Sequence, residues 1–147
     1  KNINARGGML IGSCLAGVSF TKGLGLVHSI SHMIGAEYNT QHGLTNAIIL
    51  PVVMKFNLPH VEEKIRFISN TMNLKDASSD AIVKEIEQIL DYVDIPRSLS
   101  EIGVPLECKK RIAKKAMLDS ATGTNPRVAQ IKDVEKLTEI SILSARA

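Results

Sequence analysis

An all-α domain is what this sequence predicts, on three observations. Apolar residues recur at helical spacing along nearly the whole chain. Sustained alternation of apolar and polar residues is absent, and no Asn-Gly or Asp-Gly pair marks a hairpin. With 147 residues, 44% apolar and 22% charged, the chain is a single domain, 1–147, large enough to bury a core.

A first helix covers residues 5–18, rich in Ala, Met, Ile and Leu, and Gly23 and Gly25 break it. A second runs over 24–34 and stops near Gly35. Thr40 can cap a third, 41–56, which Pro51 either kinks or divides. Asn57 and Pro59 mark a fresh start, with Val61, Ile65, Ile68 and Met72 on one stripe. Ser78 or Ser79 caps a fifth helix whose Ile82, Ile86, Ile89, Leu90 and Val93 face inward, ending before Ile95-Pro96. Turns at 98–102 and 103–105 lead into a helix over 106–118. The polar loop 122–127 precedes the last helix, 132–145.

Composition removes several classes of function. A net charge of +3, no Trp, three Phe and two Tyr supply neither the field nor the stacking platforms that nucleic acid requires. Lys109, Lys110, Arg111, Lys114 and Lys115 alternate with Ile112, Ala113 and Ala116, the solvated face of an amphipathic helix. No apolar run reaches membrane-spanning length. Cys14 and Cys108 lie far apart outside any CxxC pattern and read as small buried hydrophobes in a reducing cytoplasm. The opening KNINARGG has no initiator Met and no apolar signal core, and reads as a cut into a longer polypeptide.

Three of the four histidines, His28, His32 and His42, fall within residues 23–51 among glycines and apolar side chains. Neutral imidazoles in such a setting suit a divalent metal. His28 and His32, four residues apart, share one helix face, and His42 follows a turn that can fold it back toward them. Ser29-Ile30-Ser31 supplies no glutamate, so this is not the zinc-protease motif. The same spacing also suits core histidines beside a helix–helix turn. Two or three imidazoles do not complete a site, since structural zinc takes four ligands and a catalytic metal commonly three. His60 reads as a surface or capping residue, and Glu37, beside Tyr38 and Asn39, as a solvent-facing loop residue.

The stretch GLGLVHSISHMIGAEYNTQHGLTNAIILPVVMKFN resembles the long signature of the iron-containing (group III) alcohol dehydrogenases. Ser13-Cys14-Leu15-Ala16-Gly17 and Phe20 upstream extend the resemblance. Ile95-Pro96 through Leu99, Gly103-Val104-Pro105 and Asn125-Pro126-Arg127 extend it downstream. Met33 stands where proline is usual, Val52 where histidine is frequent, and the turn Thr21-Lys22 is a residue shorter than in several relatives.

The resemblance implies the helical C-terminal domain of the iron-containing alcohol dehydrogenase and dehydroquinate synthase-like fold. Its partner would be an N-terminal nucleotide-binding domain of the same polypeptide. His28 and His42 match two of the family's four metal ligands. His32 matches a histidine that relays the alcohol proton. The other two ligands, an Asp and a His in D-x-x-x-H spacing, have no counterpart here, because Phe56 stands four residues before His60. The glycine-rich pyrophosphate loop is missing too, since Gly23-Leu24-Gly25 has no third glycine.

The implied cofactors are Fe(II), with zinc possible, and NAD or NADP held mainly by the absent domain. The implied substrate is a small alcohol or aldehyde, interconverted by reversible hydride transfer in the cytoplasm. Gly23 and Gly25 would admit a close approach of substrate and cofactor, with Leu24, Leu26 and Val27 supporting that wall. The isolated chain is expected to fold, to bind metal weakly, to be inactive, and to expose apolar surface that promotes self-association; a homodimer or larger homo-oligomer is the expected assembly. Two alternatives stay open. One is a zinc-dependent enzyme resembling glycerol dehydrogenase, and the other a helical interaction module with structural histidines.

Overall fold

The computed structural model describes residues 2–144 and 146. Among them are seven α-helices and no strand: α1 (Ile3–Ser19), α2 (Gly25–Tyr38), α3 (His42–Asn57), α4 (Glu62–Thr71), α5 (Ser79–Tyr92), α6 (Lys109–Ala116) and α7 (Ile131–Leu143). Short 3-10 turns at Phe20–Lys22, Leu58–His60, Ser100–Ile102, Leu106–Cys108 and Ser120–Thr124 join them.

Helix α2 is the pillar. Leu26, Ile30 and Ile34 recur every four residues along one face and are wholly buried. Each contributes about 1.5–3 kcal/mol by leaving water. They meet Ile48, Ile49, Val52 and Val53 of α3, Ile112, Ala113 and Ala116 of α6, and Val134, Leu137 and Ile142 of α7. Asn39 ends α2 in the left-handed conformation (φ 52°), its N–H on the Gly35 carbonyl at 3.0 Å. A smaller cluster forms where Leu58, Ile82 and Val83 take the stripe of Val61, Ile65, Ile68 and Met72 that flanks and runs along α4.

Several local expectations change. Gln41, not Thr40, caps α3 by accepting the Leu44 N–H, while Thr40 receives the Thr45 hydroxyl at 2.8 Å. Helix α3 runs unbroken through Pro51. Ser78 is the cap of α5, but Ile89 and Val93 are half exposed at 50% and 54%, because that helix buries one narrow stripe. The sixth helix begins only at Lys109, after a 3-10 turn, since Pro105 delays regular pairing. The basic run lies on it as expected, with Ile112, Ala113 and Ala116 inward. The last helix ends at Leu143, and residue 145 lies outside the described residues. Cys108 is buried, but Cys14 is exposed, since it sits on α1. Glu37 belongs to the last turn of α2, not a loop, and binds Arg111 Nε at 2.9 Å and Lys115 Nζ at 2.6 Å.

Helix α1 stands apart. It leaves α2 at 100° and buries none of its side chains. Ile3, Met9, Leu10, Ile11, Leu15 and Val18 are 64–79% exposed. The expected apolar surface is therefore this helix. It also carries four glycines, each costing about 1 kcal/mol against Ala in a helix interior. A solvated helix of this composition has too little to hold it. Amide exchange in dilute solution should run near unfolded rates over residues 3–19 while α2 stays protected. Protection of α1 by more than roughly a hundredfold would contradict that weakness.

Candidate metal centre

The backbone N–H groups that open α2 need partners, and the loop beyond α6 supplies them. Thr124 Oγ1 accepts from Leu24 (3.2 Å) and Gly25 (3.4 Å), and Asn125 Oδ1 accepts from Leu26 (3.1 Å). Asn125 and Asn57 exchange amide hydrogen bonds at 2.8 and 3.0 Å, which ties the same loop to α3. Arg127 closes it by lying 3.8 Å over the Phe56 ring. The glycines of the turn are thereby explained. A Cβ on Gly23, whose φ is 104°, would come within 2.4 Å of Thr124, and one on Gly25, at φ 71°, within 3.0 Å of Asn125. The close approach expected there is made by the chain's own loop. A cleft of about 220 Å³ remains beside it, walled by Leu24, Val27, Leu50 and Met54. Leu26 is in the core, and Val27 packs against it.

With α2 anchored, the turn at Asn39 brings the start of α3 back over the face that carries His28 and His32. All three predicted histidines come together. Ring centres lie 5.8 Å apart for His28–His32, 5.4 Å for His28–His42, and 5.4 Å for the stacked pair His32–His42. Phe20 meets His28 edge-on at 5.5 Å. His60 is exposed and outside the cluster.

Two residues that spacing did not single out as site residues organise the rings. Asn46 Nδ2 lies 3.3 Å from His28 Nε2 and 3.0 Å from His42 Nε2, so two ring nitrogens converge on one amide. Its position one helical turn after His42 was the available signal. Asp119 Oδ2 lies 3.0 Å from His32 Nδ1, and its Oδ1 accepts the Ala121 N–H at 2.8 Å. Nothing local could reveal that contact across 87 positions.

Electrostatics shift two groups of the cluster. Burial lowers the pKa of His28, and the neighbouring His42 and His32 lower it further. The Leu24 carbonyl, short of a well-formed hydrogen bond, pulls the other way. Burial alone would raise the Asp119 pKa, but the Ala121 N–H and His32 together hold it below its ordinary value. His28 Nδ1 and Asn46 Oδ1 are buried without hydrogen-bond partners, a cost of about 1–3 kcal/mol each.

The donor set fits a divalent ion in part. With metal–nitrogen bonds of about 2.0–2.1 Å, two imidazoles on one tetrahedral ion hold their centres roughly 5 Å apart, and His28 and His42 match that at 5.4 Å. Among the described residues, no three His, Cys, Asp or Glu side chains are arranged to hold a metal.

The chain belongs to the Fe-containing alcohol dehydrogenase family, whose C-terminal model matches residues 1–142. Lactaldehyde reductase of Escherichia coli K12 is 39% identical over 136 residues, 88% of this chain and 36% of that protein. NAD-dependent methanol dehydrogenase of Bacillus methanolicus is 36% identical over 144 residues, 93% of this chain and 38% of that protein. The fold matches a crystal structure of 1,3-propanediol oxidoreductase with TM-score 0.75 and 28% identity, covering 81% of this chain and 33% of that one. An alcohol dehydrogenase from Oenococcus oeni matches with TM-score 0.74 and 28% identity over 80% of this chain and 32% of its own. The chain therefore spans a little over a third of the curated relatives it matches. Among the described residues no single helix is long and apolar enough to cross a membrane.

Two predictions concern this site. Asn125→Ala removes the Leu26 partner and leaves Asn57 unpaired, so stability should fall by about 1–3 kcal/mol in urea titrations. His28 loses its proton more readily folded than unfolded. Its contribution to stability is therefore complete above the ordinary value of 6.5 and is lost as pH falls toward the lower folded value. In the metal-free chain the urea midpoint should drop as pH falls from about 7 to about 5, and less steeply in His28→Gln.

Proposed function

We propose that this chain is the metal-binding, C-terminal part of an NAD(P)-linked alcohol dehydrogenase, with His28 and His42 as two ligands of a divalent iron. The observation that carries the reading is the convergence of two ring nitrogens, His28 Nε2 and His42 Nε2, on one amide group of Asn46 at 3.3 and 3.0 Å. Iron follows from the family. Zinc suits the same nitrogens. When bound, the ion supplies a Lewis acid that favours loss of the alcohol proton.

The chain's own residues do the rest. Burial keeps His28 neutral and its lone pair available, as a ligand must be. His32 sits beside both ligands with its side chain 35% exposed, positioned to carry the alcohol proton from the site toward solvent. Leu24, Leu50 and Met54 present an apolar wall in the cleft beside the turn that opens α2, the helix of His28 and His32, suited to a small alcohol or aldehyde. The nicotinamide cofactor would be held by an N-terminal domain of a longer polypeptide, which would also supply the remaining ligands. Relatives are named for NAD in one case and NADPH in another, so membership of the family does not fix that preference.

With two ligands, the chain alone should bind Co(II) weakly and show no alcohol-dependent reduction of NAD or NADP. In a full-length protein containing this sequence, His28→Ala and His42→Ala should each abolish bound metal and activity. His32→Ala should retain the metal and lose roughly 10²–10⁴ in kcat. Metal content by elemental analysis, measured beside steady-state rates, checks both. Full metal occupancy after loss of either His28 or His42 would sink the ligand assignment.

A further inference from the structure

We infer that Asp119 is a positioning residue: it fixes His32 as the Nδ1–H tautomer and so turns the lone pair of Nε2 outward as the proton-accepting end. The inference rests on the reading of His32 as proton carrier only for its catalytic consequence. The tautomer itself follows from the contact.

A carboxylate has only acceptors, so the ring nitrogen that faces it at 3.0 Å carries the hydrogen. The neutral ring then has its one lone pair on the opposite nitrogen. Asp119 is itself held. Its side chain is 13% exposed, and its second oxygen caps the turn Ser120–Thr124 through the Ala121 N–H at 2.8 Å. That turn is continuous with Thr124 and Asn125, which anchor the start of α2. The ring and its clamp are thus fixed to the same helix from two directions, and the stacked His42 ring at 5.4 Å limits rotation from a third.

The one acid on α2 itself cannot serve. Glu37 is engaged by Arg111 and Lys115 at the far end of α2. Among the described residues Asp119 is the carboxylate that hydrogen-bonds a ring of the cluster. The arrangement has the form of a base oriented by a partly buried acid, in which the acid sets tautomer and direction and takes no proton itself.

Asparagine at position 119 tests this sharply. Its Oδ1 can still cap Ala121, as Asn caps as well as Asp, while its Nδ2 can only donate toward His32. The ring must then accept at Nδ1 and move its hydrogen to Nε2. Long-range 1H–15N spectra of the 147-residue chain, recorded at about pH 9, well above the ordinary imidazole range, read the tautomer directly. The wild-type chain should show His32 with Nδ1 protonated, Asp119→Asn should reverse it, and Asp119→Glu should restore it in part. A wild-type ring protonated at Nε2, or one unchanged by Asp119→Asn, overturns the inference, and the wild-type spectrum alone decides if a variant fails to fold. In a full-length enzyme Asp119→Asn should lower kcat by roughly 10²–10⁴ with KM little changed. A reversed tautomer with an unchanged rate would uphold the clamp and reject His32 as the proton carrier.

Discussion

Everything at the centre depends on how the start of α2 is held. Three backbone N–H groups there have no helical partner, and an apolar interior offers none. Thr124 and Asn125 satisfy them from a loop about a hundred positions away. This sets the height and rotation of the helix that carries two of the three clustered histidines. It also explains the glycines of the turn, since the loop occupies the space their side chains would need. Remove those hydrogen bonds and the histidine face of α2 has no fixed direction.

One stretch, 119–127, therefore performs several tasks at once. Its first residue meets His32, its middle anchors α2, and its last residue stacks on Phe56 of α3. Cluster geometry and helix packing are coupled through it. The polar network is nearly closed, and the two atoms left open, His28 Nδ1 and Asn46 Oδ1, lie beside the converging ring nitrogens. Buried polar atoms without a partner are rare in folded proteins, and two of those found here belong to the histidine cluster.

Helix α1 expresses the same logic at the scale of the domain. Its six large apolar side chains have no counterpart among the described residues, and its glycines weaken it further. The chain matches little more than a third of its curated relatives.

Helical periodicity was enough to give the all-α class and the inward stripe of α4, since burial on one face writes a 3.6-residue repeat into the sequence itself. His28 and His32 were legible as a pair for the same reason, and the family signature around His42 supplied the third ring. Exposure of Ile89, Val93 and Cys14 was not legible, because an apolar side chain carries no record of whether a neighbour arrives to cover it. Glu37 looked like a loop residue because its partners, Arg111 and Lys115, lie more than seventy positions away. Asp119 was invisible for that reason too. The sequence determined which helices form and which residues could bind a metal, through local spacing and side-chain chemistry. Only the tertiary structure decided which partner each ring meets, Asn46 for His28 and His42 and Asp119 for His32, because packing and not order along the chain brings those partners together.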